Sequence, residues 1–193
     1  MKAKVAVLIS GRGSNLQALI DACADANYPA DIKLIISNNP DVQGLEKGRN
    51  AGIESIVVNH RDYSSKAEFE DAMHASLVAR DIELVCLAGF MRILSAEFVN
   101  KWLGRMINIH PSLLPKYKGL DTHRRAIEAG DEYAGCTVHF VTPEMDSGKI
   151  ILQKQVPIMD GDTEEILASR VLAEEHKIYP DALRLVAEGK ISL

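Results

Sequence analysis

The sequence is poor in cysteine and has no long hydrophobic run, and each shortage excludes a class of protein. Its three cysteines, Cys23, Cys86 and Cys136, are widely spaced in apolar surroundings. That pattern is typical of reduced core thiols and not of a disulfide framework or a CxxC metal site. No apolar run approaches the ~20 residues of a membrane span, and the first run, residues 5–9, is too short for a signal-peptide core. We therefore expect a cytoplasmic protein that does not enter a membrane.

Positive charge is also scarce. The 22 lysines and arginines are outnumbered by 27 aspartates and glutamates, giving a formal net charge of −5, and no basic run is present. This balance argues against a nucleic-acid partner, although a helix N-terminus can still bind a small anion such as phosphate. With 193 residues, 47% of them hydrophobic, the chain is long enough for one domain, residues 1–193, with a substantial core.

Short apolar strands alternate with helical segments through the first part of the chain. Periodicity predicts strands at residues 4–9, 32–38, 56–58, 82–88 and 106–110, and helices at residues 16–22, 42–51 and 66–80. Such alternation is typical of a parallel, right-handed, doubly wound sheet.

The pattern changes after the fifth strand. A helix is predicted at residues 122–129, followed by strands at 135–141 and 149–158 whose link is too short for a parallel crossover. A last helix begins after Thr163 and runs toward Pro180, with a shorter helical piece beyond it. The predicted fold is α/β: a single Rossmann-like, doubly wound, mostly parallel sheet with an antiparallel strand pair in its C-terminal part.

A glycine-rich turn, Ser10-Gly11-Arg12-Gly13-Ser14-Asn15, joins the first strand to the first helix. A dinucleotide fingerprint would need a third glycine where Leu16 stands, and an acid at the end of the second strand, which closes with Ser37-Asn38-Asn39. The lysine and hydroxyl pair of a Walker motif is absent too. The last three residues of the turn are instead predicted to direct donors at an anion such as a monophosphate. A tight turn with a Ser/Asn cap is an equally open alternative.

The central pattern is an asparagine and a histidine two residues apart. Residues 106–110 alternate as a strand does, so Asn108 and His110 project from the same face, and Pro111 ends regular pairing. Ligands bind at the carboxyl ends of strands in such sheets. An amide can donate to a developing oxyanion, and an imidazole beside it can stabilise that charge or move a proton. The open alternative is a strand-ending asparagine beside a half-buried structural histidine.

Asp146 is the third member of this predicted site. It lies in the short link between the last two strands, before Ser147-Gly148, where a turn aspartate is also expected. In the functional interpretation its carboxylate reaches His110, orients the ring and favours its protonated form. The sequence contains no Gly-x-Ser-x-Gly elbow and no His-Glu-x-x-His motif, so neither a serine hydrolase nor a zinc enzyme is supported.

Five segments together carry a resemblance to a known family. They are Gly11-Arg12-Gly13-Ser14-Asn15-Leu16, Ala88-Gly89-Phe90-Met91-Arg92-Ile93-Leu94, Asn108-Ile109-His110-Pro111-Ser112-Leu113-Leu114-Pro115, Thr137-Val138-His139-Phe140-Val141 and Asp146-Ser147-Gly148. In this order they closely resemble the phosphoribosylglycinamide formyltransferase family of purine biosynthesis, from residue 5 to about residue 180. The resemblance implies transfer of the formyl group of 10-formyltetrahydrofolate to the amine of glycinamide ribonucleotide through a tetrahedral intermediate. It implies no metal.

The resemblance also assigns roles to residues. Asn108 would hold the formyl oxygen as an oxyanion, His110 would stabilise that charge and help with protons, and Asp146 would position His110. The residues implied for the ribonucleotide are Gly13, Ser14, Asn15 and Glu175. Those implied for the folate are Lys66, Met91, Arg92, Ile93, Leu94, Asn108, Thr142, Pro143, Glu144, Met145 and Asp146. The implied partners are these two small molecules, with the chain a monomer or a weak homodimer.

Two positions depart from the family pattern. Lys66 stands where an arginine often faces the glutamate tail of the folate, which keeps the charge but loses a two-pronged grip on carboxylate. Leu172 stands where a glutamine often contacts the ribonucleotide. Neither departure falls on the three implied catalytic residues.

Three alternative functions would use a similar fold or a similar set of residues. Formyltetrahydrofolate hydrolase uses the same constellation with water as acceptor, but typically carries an N-terminal regulatory domain, which we expect to be missing because the first strand begins at residue 4. A formyltransferase acting on aminoacyl-tRNA would need an added nucleic-acid-binding domain, which the length and charge do not provide. A non-catalytic nucleotide-binding module would share the fold. Convergence of Asn108, His110 and Asp146 in one cleft would count against this last alternative.

Overall fold

The architecture is one seven-stranded sheet, in a computed structural model that describes residues 1–193. The strands are β1 (Ala3–Ile9), β2 (Ala30–Ser37), β3 (Ser55–Val57), β4 (Leu84–Leu87), β5 (Met106–His110), β6 (Tyr133–Phe140) and β7 (Ile150–Pro157). Their order across the sheet is β3-β2-β1-β4-β5-β6-β7. The first five are parallel, whereas β6 is antiparallel to both β5 and β7. The predicted fold class is therefore confirmed.

Helices cover both faces because the central strands are apolar on both sides. In β1, residues 5–9 are completely buried, as expected of a parallel strand between two helical layers. The helices are α1 (Ser14–Cys23), α2 (Gln43–Asn50), α3 (Lys66–Val78), α4 (Ala96–Lys101), α5 (Thr122–Glu128) and α6 (Glu164–Ala187), with a 3-10 turn at His60–Asp62. None of these helices combines the length and the apolar character that a bilayer crossing demands.

One face of the sheet is covered by helices over only part of its width. On the first face, side chains of α1, α5 and α6 form a continuous core with Ile107 and Ile109 of β5 and with β6. On the second face, the core under α3 and α4 reaches β5 only at Met106 and includes no residue of β6 or β7. Because side chains alternate along a strand, Asn108 and His110 share the second face with Met106. They therefore lie where loops, not a helix, cover the sheet.

The structure departs from the predicted elements in two places. Helix α4 was not predicted, because six residues are too few to show helical periodicity; its signal is the cap at Ser95, whose Oγ accepts from the Phe98 N–H (3.1 Å). The prediction that the last helix stops near Pro180 was wrong, since α6 is one helix through that residue. Burial of α6 on both sides of the proline, at Val171 and Leu183, offsets a cost of about 3 kcal/mol for an internal proline.

Tyr179 connects α6 to the two strands that carry the candidate site. Its fully buried hydroxyl donates to the carbonyl oxygens of Leu87 on β4 (2.8 Å) and Ile107 on β5 (3.2 Å). The surroundings are apolar and exclude water, and they raise the pKa of Tyr179 well above its usual value. The hydroxyl is thus a fixed donor between neighbouring strands.

We predict that Tyr179→Phe lowers the free energy of unfolding by about 1–2 kcal/mol, because a buried hydrogen bond is lost where water cannot replace it. Urea denaturation measures the change. Tyr63→Phe is the control, since the ring of Tyr63 packs beside Phe69 and is only half-buried. Equal losses in the two variants would contradict the role given to the Tyr179 hydroxyl.

Candidate active site

The site begins where three neighbouring parallel strands end. β1, β4 and β5 lie side by side, so their carboxyl ends and the loops that follow share one edge of the sheet. Leu87, the last residue of β4, pairs with Asn108. On the other side of β5, the antiparallel β6 places His139 opposite Asn108 and Thr137 opposite His110. Paired residues of neighbouring strands project from the same face, so four polar side chains are grouped on the uncovered part of the sheet.

His110 is buried and both of its ring nitrogens face polar groups. Its Nε2 lies 2.9 Å from the carbonyl oxygen of Tyr117. Because a carbonyl oxygen only accepts, Nε2 carries a hydrogen and donates. Its Nδ1 faces Oδ2 of Asp146 at 3.5 Å. A ring with a hydrogen on each nitrogen suits both neighbours, because one N–H donates to the Tyr117 carbonyl and the other points toward the Asp146 carboxylate.

Asp146 lies between two imidazole rings, and a backbone N–H fixes its carboxylate. Its Oδ2 accepts from the Gly119 N–H at 2.9 Å and faces His110, while Oδ1 lies 3.7 Å from Nε2 of His139. The residue adopts a left-handed backbone with φ 50°, a conformation that aspartate tolerates better than most residues. The link predicted to hold a turn aspartate thus also brings its carboxylate to His110.

His139 is a site residue that the sequence analysis did not single out. Its Nδ1 lies 2.8 Å from the Phe140 carbonyl oxygen and donates to it, which leaves a lone pair on Nε2. Burial lowers the pKa of His139, so the ring stays neutral and Nε2 accepts from Nδ2 of Asn108 at 3.4 Å. This contact sets the side of the cleft on which the Asn108 amide nitrogen lies and leaves its second N–H for a ligand. The strand register that reveals His139 is not readable from the sequence.

The chain after His110 is attached to the sheet mainly by the Thr137 hydroxyl, and Gln153 Nε2 also donates to the Leu114 carbonyl (3.0 Å). Thr137 Oγ1 donates to the Ser112 carbonyl (2.7 Å) and accepts from the Leu114 N–H (3.1 Å) and from Gln153 Nε2 (2.8 Å). A threonine hydroxyl has one hydrogen and two lone pairs, so all of its capacity is used. Fixing this segment also fixes the approach to Tyr117, which orients the His110 ring.

The glycine-rich turn forms a second part of the site. Gly13 has φ 69°, and a side chain there would meet the Gly44 backbone at 2.8 Å, so only glycine fits. Helix α1 begins at Ser14, and its first N–H groups have no partners within the helix. Residues 11–15 line an open cavity of about 140 Å³ together with Ala88 and Gly89, at the end of β4. A phosphate-sized anion suits this volume and these donors.

Asn15 and Glu175 meet in the same region although 160 residues separate them. Asn15 Nδ2 donates to Glu175 Oε2 at 2.7 Å, and both side chains are buried. Burial raises the pKa of Glu175, and the hydrogen bond from Asn15 opposes the rise. The other amide atom, Oδ1 of Asn15, is buried without a hydrogen-bond partner. An acceptor left unpaired beside a cavity suggests that a ligand completes it.

Lys47 is a further cation beside this turn that the sequence analysis did not name. It lies on α2, and its ammonium group donates to the Gly13 carbonyl oxygen at 3.2 Å. The pKa of His176 is lowered mainly by burial and also by the positive charge of Lys47. Because α2 follows β2 and meets the turn only in the folded chain, its sequence position gave no signal.

The folate residues implied by the resemblance lie in two loops and on one helix. In residues 89–94, which follow β4, Met91 and Ile93 are exposed, and the Arg92 guanidinium lies 5.7 Å from the ring centroid of Phe69. Lys66 begins α3, and its ammonium is 3.9 Å from Glu70. No hydrogen bond or ion pair joins Lys66 to the groups around His110.

The second of these loops is the link that contains Asp146. Its outer residues, Pro143, Glu144 and Met145, are exposed. Thr142 Oγ1 donates to the Glu144 carbonyl at 3.1 Å, and the Glu144 carboxylate is 3.6 Å from Lys118. The link therefore contacts the segment that follows β5, and together they border the cleft at His110. Nowhere in the chain do three or more His, Cys, Asp or Glu side chains form a group suited to hold a metal ion.

Known proteins that are similar to this chain in sequence or in structure have names that agree with one another. Trifunctional purine biosynthetic protein adenosine-3 from Homo sapiens is 54% identical over 192 residues, which cover 100% of this chain and 19% of that protein. Phosphoribosylglycinamide formyltransferase from Escherichia coli (strain K12) is 46% identical over 189 residues, covering 98% of this chain and 89% of that protein. The crystal structure of phosphoribosylglycinamide formyltransferase from Brucella melitensis has a TM-score of 0.94 at 47% identity, covering 97% and 96% of the two chains.

The extent of these matches differs between the two kinds of relative. The chain spans 19% of the length of the human trifunctional protein but most of the length of the bacterial ones. Residues 3–183 match the family described as formyl transferase. With that match over nearly the whole chain, and with 46% identity to a bacterial relative of which the chain covers 89%, the chain belongs to the formyl transferase family.

Proposed function

We propose that this chain transfers the formyl group of 10-formyltetrahydrofolate to the amine of glycinamide ribonucleotide, in the synthesis of purines. The observation that carries the proposal is the meeting of Asn108, His110 and Asp146 in one cleft, in a chain of the formyl transferase family. Each group has a use in acyl transfer to nitrogen, and a binding module would need none of them. The relatives named as phosphoribosylglycinamide formyltransferases point to the same acceptor.

The first step is attack by the amine on the formyl carbon. The nitrogen lone pair forms the new C–N bond while the carbonyl electron pair moves to oxygen, which gives a tetrahedral oxyanion. The free N–H of Asn108 and a protonated His110 ring supply a hydrogen bond and a positive charge to that oxygen. Preorganised donors of this kind each contribute about 10²–10³ in rate.

The second step needs a proton to move between two nitrogens. The attacking nitrogen must lose a proton and N10 of the folate must gain one before the C–N10 bond breaks, with its electron pair returning to N10. The protonated His110 would give a proton from Nδ1 to N10 and take one back from the attacking nitrogen, and the carboxylate of Asp146 balances the charge of the protonated ring. The products are formylglycinamide ribonucleotide and tetrahydrofolate.

The glycinamide ribonucleotide is proposed to bind along the first turn of α1. Its phosphate fits the cavity at Gly13, Ser14 and Asn15, with Lys47 nearby as a positive charge. The unpaired Oδ1 of Asn15 and the buried carboxyl of Glu175 are acceptors for the hydroxyl or amine groups of the ligand. Leu172 supplies no polar contact, so these groups would hold the ribonucleotide without one from that position.

The folate is proposed to lie between the 89–94 loop and the link 142–146. Arg92, Ile93 and Leu94 make no main-chain hydrogen bonds within the protein, so their N–H and C=O groups are free for the polar edge of a pterin. Exposed Met91 and Ile93 supply apolar surface, and the link 142–146 closes the opposite side at Asp146. Lys66 is proposed to face the glutamate tail.

We further propose that residues 1–193 act as one catalytic unit, with the ribonucleotide side in the N-terminal half and the folate side in the C-terminal half. The shared sheet and the contact between Asn15 and Glu175 support the single unit, since both halves contribute to one site. Glu175, Lys66 and the 89–94 loop are exceptions to the division into halves. A cytoplasmic location is supported by the three cysteines, which are all free thiols. We expect a monomer or weak homodimer that has no nucleic-acid partner.

The acceptor dependence of tetrahydrofolate release tests the reaction. We predict that the purified chain releases tetrahydrofolate from 10-formyltetrahydrofolate only when glycinamide ribonucleotide is added, because its amine is the nucleophile in the proposed reaction. Absorbance of the folate measures the release. Release at the same rate without the acceptor would identify a hydrolase, and no release in either case would identify a binding module.

Replacement of the histidine tests its chemical role. We predict that His110→Ala lowers kcat at least about 100-fold, because the oxyanion loses its positive charge and the proton its carrier. Binding of glycinamide ribonucleotide, measured by calorimetry, should remain nearly unchanged. His74→Gln, on α3 beside Trp102, is the control for losing an imidazole elsewhere. Parallel loss of binding and turnover would show that His110 supports the pocket instead.

The buried His139 gives a prediction about pH. Burial lowers its pKa from the usual 6.5, so below that pH the unfolded chain binds a proton that the folded chain does not. The free energy of unfolding should therefore fall as the pH drops from about 6.5, and His139→Gln should make the fall smaller. Urea denaturation at pH 8, 6.5 and 5.5 measures it, with pH 8 as the baseline for the cost of the substitution itself. An unchanged pH dependence in the variant would refute this explanation.

A further inference from the structure

The 89–94 loop has almost no bonds of its own within the protein. Among its main-chain groups only the Met91 N–H is hydrogen-bonded, and that bond goes to a side chain. The side chains of Met91 and Ile93 are 69% and 73% exposed, and only Phe90 and Leu94 pack, partly buried, against the core. A loop with free main-chain groups binds a ligand well only if something else keeps its shape.

One tether comes from Ser10, at the end of β1. Its Oγ accepts from the Met91 N–H at 2.8 Å and donates its hydrogen to Oδ1 of Asn38. Because Oδ1 only accepts, the direction of the hydroxyl is fixed and its lone pair points to Met91. Asn39 Nδ2 holds the Ser10 carbonyl at 2.9 Å. Ser10 and Asn38 are both buried, so this tether is protected from water.

The other tether comes from Glu70, on α3. Its carboxylate accepts from the Ser95 N–H at 2.7 Å and also from the Ser95 hydroxyl. Only 4% of Glu70 is exposed, and its one cationic neighbour is Lys66, at 3.9 Å. A buried carboxylate needs its donors, so it fixes Ser95, the cap of α4, immediately after the loop.

We infer that Ser10 and Glu70 are positioning residues that hold the 89–94 loop at its two ends, in the shape that receives the formyl folate. The inference rests on the proposed function, because it takes that loop as the folate site. Neither residue is part of the proposed catalytic or binding groups. Ser10 acts through the Met91 N–H, and Glu70 acts through Ser95, immediately after the loop, so their loss should weaken folate binding and leave the chemistry intact.

Steady-state kinetics of two variants test this inference. Ser10→Ala and Glu70→Gln should each raise KM for 10-formyltetrahydrofolate roughly five- to tenfold, the equivalent of one lost buried hydrogen bond, with kcat and KM for glycinamide ribonucleotide within about twofold of wild type. Matched controls lie on α3: Ser76→Ala removes a hydroxyl bonded only within its helix, and Glu68→Gln removes a carboxylate that holds Ser64. The controls should not change KM for the folate.

Two further measurements separate the tether from other effects. Amide hydrogen exchange should accelerate at Met91 in Ser10→Ala and at Ser95 in Glu70→Gln, because each amide loses its partner. A folate without its glutamate tail should show the same rise in KM with Glu70→Gln. Loss of that rise with the shorter substrate would mean that Glu70 acts through Lys66 and would overturn its assignment as a tether.

The remaining outcomes distinguish this inference from the proposed function. An unchanged KM for the folate, or a fall in kcat together with a rise in both KM values, would overturn the inference while wild-type transfer upholds the function. If the wild type binds tetrahydrofolate but transfers no formyl group, the function fails, and weaker tetrahydrofolate binding in the two variants would still uphold the tethers. A wild type that binds no folate overturns both.

Discussion

The chemistry proposed for this protein depends on one carboxylate held between two imidazole rings. Asp146 faces His110 through one oxygen and His139 through the other, and the Gly119 N–H fixes its orientation. The two rings are not equivalent. Burial lowers the pKa of His139 and outweighs the opposing effect of the hydrogen bond to the Phe140 carbonyl, whereas His110 faces the carboxylate with its Nδ1 at 3.5 Å. In the proposed reaction, the positive charge of a protonated His110 would lie beside the amide of Asn108.

That arrangement requires the sheet to change direction between β5 and β6. A parallel neighbour of β5 would need a long crossover, usually a helix packed on a face of the sheet. The antiparallel β6 instead places His139 directly opposite Asn108. The link from β6 to β7 then follows, and it contains Asp146. With α6 on the first face and no helix over this part of the second, loops alone border the cleft. The parallel strands carry Asn108 and His110 to the edge of the sheet, and the antiparallel strand adds the polar side chains of Thr137 and His139 beside them.

The sequence predicted the strands and the local side-chain pattern well, because both follow from short-range periodicity. Asn108 and His110 could be placed on one face from their spacing alone. His139 could not, because its role depends on the register between two strands that pairs it with Asn108, 31 residues away, and nothing local encodes that register. Lys47 was missed for the same reason. Pro180 led to a wrong prediction, because a proline inside a helix costs about 3 kcal/mol and usually ends it. In α6, burial of the residues on both sides of Pro180 outweighs that cost.

The two candidate binding loops are not independent parts of the site. Ser10 precedes the phosphate-type turn in the chain and bonds to Met91 in the 89–94 loop, and Ala88 and Gly89 line the cavity of the turn. The loops after β1 and β4 therefore keep a fixed separation, set by adjacent strands and not by either ligand. Transfer between two bound molecules is fast when the enzyme holds the reacting atoms close before reaction, since their relative entropy is already lost. In this fold the distance between the two loops is set by the buried strands β1 and β4, so packing of the core helps to determine how the two reactants are placed.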